Sequence, residues 1–351
     1  MWAYILKRLL LMIPTILGVM LVTFTVTQFV PGGPVEQLIQ QLQHNAGASG
    51  GEASGGSQRL YRGDAGLDKE KLDELKALYG FDKPAPERFI QMISNYARFD
   101  LGESYFHQES VIDLIISKLP VSISLGMWTF FIVYLTCIPL GISKAIRDGS
   151  VFDLTSSTII LIGFAIPGFV LGIFLLVLFG GGSFWDWFPL RGLTSDNWET
   201  LDWFGKAKDY LWHITLPVIS LVVGSFAVMT MLTKNSFLEE IRKQYVITAR
   251  AKGLEERTVL YKHVFRNAMI PLVTGFPSAF IGAFFTGSIL IESIFSLDGI
   301  GLLAYESILK RDYPVVLGSL YLFTVLGLVA KLITDLCYVL IDPRIQFESV
   351  K

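Results

Sequence analysis

Six stretches of the sequence, at about 9–30, 119–142, 154–179, 213–233, 271–294 and 315–341, are apolar over longer distances than a soluble core requires. A helix of roughly 20 residues crosses a hydrocarbon layer about 30 Å thick. Lipid offers no partner to a backbone N–H or C=O, so such runs span as helices. The expected fold is therefore all-α and integral to a membrane, with six transmembrane helices. Composition agrees: 52% of the residues are hydrophobic and 17% charged, where a soluble domain carries about a quarter charged. Pro14, Pro139, Pro167, Pro217 and Pro277 fall inside or at the ends of these runs, where a membrane bundle tolerates them as kinks. Lys7 and Arg8 before the first run give it the look of a secretory signal. The run is too long for one and ends in Pro31-Gly32-Gly33-Pro34 without a small-x-small cleavage pattern, so it reads as an uncleaved span.

Charge in the short loops sets the orientation. With the N-terminus in the cytoplasm, the inner segments hold Lys7, Arg8, Lys144, Arg147, Lys234, Arg242, Lys243, Arg250, Lys252, Arg257, Lys262, Arg266, Arg344 and Lys351. The two short outer loops hold Arg191, Lys206, Lys208, Lys310 and Arg311. Both termini are then cytoplasmic. Three parts follow: an N-terminal span in 1–30, an external (periplasmic) insertion in 31–118, and a five-helix core in 119–351 with a cytoplasmic loop at 234–270. The insertion begins with a Gly/Ser-rich tract, Gly47 to Ser57, of a composition that stays flexible. Beyond it, one amphipathic helix is expected to end at Gly80 and a second to run from Pro86 to Phe99. Together they form an external helical cap between spans one and two. Trp185, Trp187, Trp198, Trp203 and Trp212 crowd the loop after span three, as in an interfacial aromatic belt.

Catalytic signatures fail on context. Gly47-Ala48-Ser49-Gly50-Gly51 has the spacing of a nucleophile elbow but lies in the flexible tract, with no strand before it. Gly282 to Ser288 has P-loop glycine spacing without the lysine that reaches phosphate. Cys137 and Cys337 sit inside apolar runs and offer no metal or disulfide framework. No catalytic residue, metal or cofactor is assigned, and a formal net charge of −2 argues against a nucleic-acid partner.

Polar and small residues within the spans are more informative. Gly275, Ala279, Ala283 and Gly287 recur every four residues in span five, and Gly168 and Gly172 do so in span three. Such columns allow close helix packing or line a smooth pathway. Lys331 and Asp335 lie one turn apart in span six, within reach of each other, and Glu292 lies near the outer end of span five.

The loop between spans four and five reads as two short basic helices broken at Gly253, a layout that fixing topology alone does not need. Tyr245-Val246-Ile247-Thr248-Ala249-Arg250-Ala251-Lys252-Gly253-Leu254-Glu255-Glu256-Arg257 and the following Arg266-Asn267-Ala268 resemble the EAA loop of ABC importer permeases, in the form of the dipeptide and oligopeptide group. Ala249 and Gly253 match the second Ala and the Gly of that motif, Ile247 replaces its Glu, Thr248 its first Ala, and Arg266 stands where many permeases have Pro. Phe99-Asp100-Leu101-Gly102-Glu103-Ser104, Asp298-Gly299-Ile300-Gly301, Arg311-Asp312-Tyr313-Pro314 and Asp342-Pro343-Arg344 extend the resemblance over the whole chain.

The resemblance implies a bacterial inner-membrane permease that pairs with a second, similar permease. Cytoplasmic ABC ATPase domains would bind ATP and Mg, an external substrate-binding protein would deliver a peptide substrate, and the surrounding partner is membrane lipid. Ala249, Arg250, Ala251, Lys252, Gly253, Leu254, Glu255 and Glu256 would couple to the ATPase. In that reading Ala249 and Ala251 let the helix seat in a groove, and the four charges set its register. An ion-coupled secondary transporter is the alternative, though only Lys331 and Asp335 lie deep and no second copy of the loop segment occurs.

Overall fold

The computed structural model describes residues 2–29, 83–182, 184–285 and 288–341. The first external helix, the Gly/Ser tract, Gly287 and the 342–344 motif lie outside these residues. Among the described residues, five helices are long and apolar enough to cross a membrane, and a sixth crossing follows if one sharply bent pair counts as a single span. The chain divides into two compact units, Met1–Leu6 with Ile116–Leu303 and Leu326–Lys351, and Lys7–Ile115 with Ala304–Val325.

In the larger unit, α3 (Val111–Ile146) enters as the second span and carries Pro120 and Pro139 within its length. A tight turn leads to α4 (Val151–Ala165), whose first turn is capped by Ser150 Oγ accepting from Asp153 N at 3.2 Å. The expected third span, 154–179, is not one straight helix. It breaks by 90° between α4 and α5 (Gly168–Phe179). Ile166, held extended at φ −89° and ψ 118° ahead of Pro167, makes the break, because a residue before proline is driven out of the helical region. Gly168 and Gly172 both lie against α6 (Trp203–Ile241). A Cβ on Gly168 would stand 2.8 Å from Ser220 O, and one on Gly172 3.3 Å from Ser220 Oγ. Between α5 and α6, Trp185 stacks on Trp187 at 5.4 Å, with Phe179 against both.

The core of this unit gathers Leu125, Val133 and Cys137 of α3, Ile214, Leu216, Val218 and Val222 of α6, and Ile291, Phe295 and Leu297. In the fifth span α10 (Ile270–Phe285) precedes α11 (Ile289–Ile294), with Ser288 at the N-cap extended at φ −114° and ψ 92°. Of the small-residue column, Ala283 is buried where α3 comes closest; a Cβ on Gly126 would be 1.8 Å from Ala283 O. Gly275 and Ala279 are exposed on the same helix. Asp335 accepts a hydrogen bond from Tyr4 Oη at 3.2 Å. Lys331 is exposed, and among the described ion pairs none joins it to Asp335.

Glu292 is completely buried and organises the chain around the end of span five. Its carboxylate accepts from Ser288 N at 3.0 Å and Leu302 N at 2.7 Å, so it holds both the start of α11 and the start of α12 (Ile300–Lys310). Ile300 N donates to Ser122 Oγ at 2.9 Å, and Lys118 pairs with Asp298.

The smaller unit contains most of α1 (Trp2–Phe29), α2 (Ala85–Tyr96) and the first part of α13 (Tyr313–Ile341). α2 starts where expected, with proline in its first turn, but ends at Tyr96 rather than Phe99, which turns to φ 59°. Two stretches singled out separately in the sequence meet here. Ser104 Oγ donates to Asp312 Oδ2 at 2.5 Å and Tyr105 N to Asp312 Oδ1 at 3.1 Å, with Ser104 and Asp312 both buried. Beside them Val111, Leu101 and Val315 are buried.

Candidate functional site

The segment after α6 is built on an apolar base. α7 (Gln244–Ala251) follows α6 through a turn at Arg242 and Lys243. Val246 and Ala249, three apart on one helical face, pack with Ala145 of α3, Phe237 of α6, and Val259, Val264 and Ala268 from the run that follows. That run is α8 (Glu256–Thr258), a π-helical turn Val259–Val264, and α9 (Phe265–Ala268). The second of the two expected helices is thus wound in its middle as a π-turn, a form common at functional positions.

α7 ends in a Schellman motif. Gly253 N donates to Arg250 O at 2.9 Å and Leu254 N to Ala249 O at 3.3 Å, with Gly253 at φ +79°. The backbone therefore takes the left-handed form that a side chain disfavours. Space is not the constraint, since a Cβ on Gly253 would meet nothing within 4 Å.

The eight residues picked out by the resemblance separate into roles. Ala249 faces inward, so it seats α7 on its own chain. Arg250 and Glu256 pair with each other across the turn, Nε to Oε2 at 3.0 Å and Nη2 to Oε1 at 2.5 Å. The Arg250 guanidinium holds the Glu256 carboxyl below the usual range, and Glu256 raises Arg250. Ala251, Lys252, Gly253, Leu254 and Glu255 remain exposed on the outer edge, with Leu254 41% accessible.

A polar hub missed by sequence reasoning braces the segment from behind. Tyr245 Oη donates to Glu240 Oε2 at 2.6 Å and accepts from Asn267 Nδ2 at 3.1 Å. Lys243 pairs with the same Glu240. Burial, reinforced by the Glu240 carboxylate, pushes the Tyr245 phenol upward, so it stays a donor. The signal for this hub was the polar Asn267 beside Arg266. Among the described residues, no cluster of three or more His, Cys, Asp or Glu is arranged to hold a metal ion.

Over 360 residues and 99% of both chains, the sequence is 58% identical to the Peptidoglycan transport system permease protein YejB of Agrobacterium fabrum. It is 53% identical to the Inner membrane ABC transporter permease protein YejB of Escherichia coli O157:H7, over 99% of this chain and all of that one. It is 31% identical to the Oligopeptide transport system permease protein AppB of Bacillus subtilis, again over 99% and 100%. Residues 137–347, which include α7 to α9, match the family described as Binding-protein-dependent transport system inner membrane component, and the chain belongs to that family.

Proposed function

We propose that this chain is the pore-forming permease of an ATP-driven importer of oligopeptides or similar peptide-like solutes, working by alternating access with a second, similar permease. The observation that carries the proposal is the cytoplasmic segment. It is a short helix with a locked end, fixed from behind by the Val246–Ala249 face and the Tyr245 hub, with Ala251, Lys252, Leu254 and Glu255 turned outward. Such a rigid projection suits a lever on which a cytoplasmic ATPase docks. ATP and Mg bind on that partner; ATP-driven closure moves the lever, and the pathway switches sides.

The cargo class is supported by the relatives, two named for peptidoglycan and oligopeptide transport. An external substrate-binding protein delivers the solute. Residues 31–118 and the loop before α6 face outward, and both termini lie in the cytoplasm, on the strength of the loop charges. Exposed Gly275 and Ala279 mark a pathway or partner face of α10, whereas Ala283 serves packing.

Proteoliposomes holding this chain with its second permease and ATPase test the reading. Uptake of a labelled oligopeptide should require ATP and the binding protein and persist when ion gradients are collapsed. Uptake driven by an imposed ion gradient without ATP would establish the ion-coupled alternative instead.

A further inference from the structure

At the cytoplasmic ends of three spans the protein buries a charge network that the coupling segment does not contain. Lys144, in the last turn of α3, is fully buried. Its ammonium donates to Asp153 O at 2.8 Å, Ser156 Oγ at 2.8 Å and Ser157 Oγ at 2.7 Å, and lies 3.0 Å from Asp153 Oδ1. All these acceptors belong to the first two turns of α4. The other Asp153 oxygen takes Lys234 Nζ of α6 at 2.7 Å and Gly149 N at 3.1 Å. Lys234 also reaches Asp148 Oδ1 at 3.0 Å, and Asp148 Oδ2 lies 3.5 Å from Arg242, the first residue of the turn into α7. One carboxylate thus bridges two cations from different helices.

Desolvating three charges is costly, and well-packed apolar residues would hold such helices together at least as firmly. What directed ion pairs add is a fixed register. The placement shows which register is held. On one side of the network α3 and α6 touch so closely that a Cβ on Gly141 would lie 2.6 Å from Thr233 Cβ. On the other, Ala145 and Phe237 form the base under Val246 and Ala249 of α7. Of the spans, α3 and α6 contribute Ala145 and Phe237 to the base under the coupling helix, and Lys144, Asp153 and Lys234 add directed ion pairs to the packing of α4 against that pair.

We propose that the Lys144–Asp153–Lys234 network is a force-transmitting clamp, in which Lys234 is a positioning residue that makes the bent α4–α5 pair move with the coupling helix. The proposal rests on the coupling reading above. The clamp is outside the exposed docking edge, so its loss leaves ATPase binding intact and separates ATP hydrolysis from transport.

Lys234→Met is the informative variant, because it leaves the buried Lys144–Asp153 pair one to one and neutral while removing the ionic link from α6 to α4 and leaving their apolar packing in place. In proteoliposomes with the second permease, ATPase and binding protein, this variant should show wild-type insertion and ATPase co-purification. The number of ATP hydrolysed per solute imported should rise about two- to thirtyfold, the range that coupling networks carry. Lys234→Arg, whose planar fork can bridge Asp148 and Asp153 together, should restore most of the coupling. A wild-type ratio in Lys234→Met overturns the proposal. Loss of ATPase co-purification in that variant also overturns it, since the network would then shape the docking surface. A fault in the coupling reading would show itself separately, as unchanged ATPase binding when the exposed edge is altered.

Discussion

Gly299 lies against the buried carboxyl of Glu292, so closely that a Cβ at position 299 would stand 2.6 Å from the Glu292 carboxyl carbon. The acid is held by backbone N–H groups of Ser288 and Leu302, so it has no room to retreat. The Asp298-Gly299-Ile300-Gly301 stretch therefore has a physical reason for its first glycine. Gly299→Ala should destabilise the detergent-solubilised protein by about 1–3 kcal/mol, the usual cost of overpacking. A thermal unfolding midpoint equal to wild type would show that the loop relaxes freely.

α3 and α10 approach so closely that a Cβ on Gly126 would come within 1.8 Å of Ala283 O. Backbone cannot move aside like a flexible side chain, so Gly126→Ala should cost at least about 1–3 kcal/mol. Gly224, also helical, has no heavy atom within 4 Å of its would-be Cβ. Gly224→Ala should be neutral or gain up to about 1 kcal/mol from helix propensity. Equal thermal stabilities for the two variants would refute the packing assignment.

Much of this architecture is legible from the sequence because long apolar runs and helix-breaking residues act locally. The spans are of this kind, and so is Gly253, whose left-handed backbone closes α7. Pro167 is legible as a disturbance but not as a 90° break, since the angle depends on how α4 and α5 pack on α6. The direction of Ala249 is hidden for a similar reason: a small residue serves an inner or outer face equally well, and only the apolar base under α7 decides. Lys144 and Lys234 read as ordinary inner-loop positive charge. Their sharing of Asp153 joins residues 9 and 81 positions apart, which no local pattern reports. The 208-residue separation of Ser104 and Asp312 hides their bond in the same way.

The Arg250–Glu256 pair spans the turn at Gly253 and should respond to acid. Glu256 has its folded-state pKa lowered by Arg250, so the stabilisation is complete above the ordinary glutamate range and is lost as pH falls through the lower folded value. With the Glu256 side chain 67% accessible, its worth is only a few tenths of a kcal/mol up to about 1. Protease cleavage after Lys252 or Arg257 should be slow and unchanged from neutral pH down to the glutamate range, then quicken below it, after correction for the protease's own pH profile. Glu256→Gln should be cleaved faster at neutral pH and lose that dependence. Identical profiles for the two proteins would leave the pair without structural effect.

The loop charges predict that the segment around α7 and the loop before α6 lie on opposite sides of the membrane. Single cysteines at Glu199 and Lys252, both exposed, in a background lacking Cys137 and Cys337, should react with an impermeant reagent from opposite sides. Labelling of both from the same side would contradict the span count between them.

Docking of an ATPase on the outer edge of α7 is tested most directly with Leu254→Asp. Leu254 is 41% accessible and contributes only its backbone to the helix end, so the variant should fold, insert and pair with the second permease normally. A carboxylate there would have to be desolvated in an apolar contact, which costs roughly 2–3 kcal/mol or more and weakens docking about thirty- to a hundredfold. Co-purification of the ATPase, measured with ATP-driven oligopeptide uptake in proteoliposomes, should fall together for Leu254→Asp and stay at wild-type level for Gly224→Ala. Full ATPase co-purification and full uptake in Leu254→Asp would contradict the assignment of this segment as the coupling site.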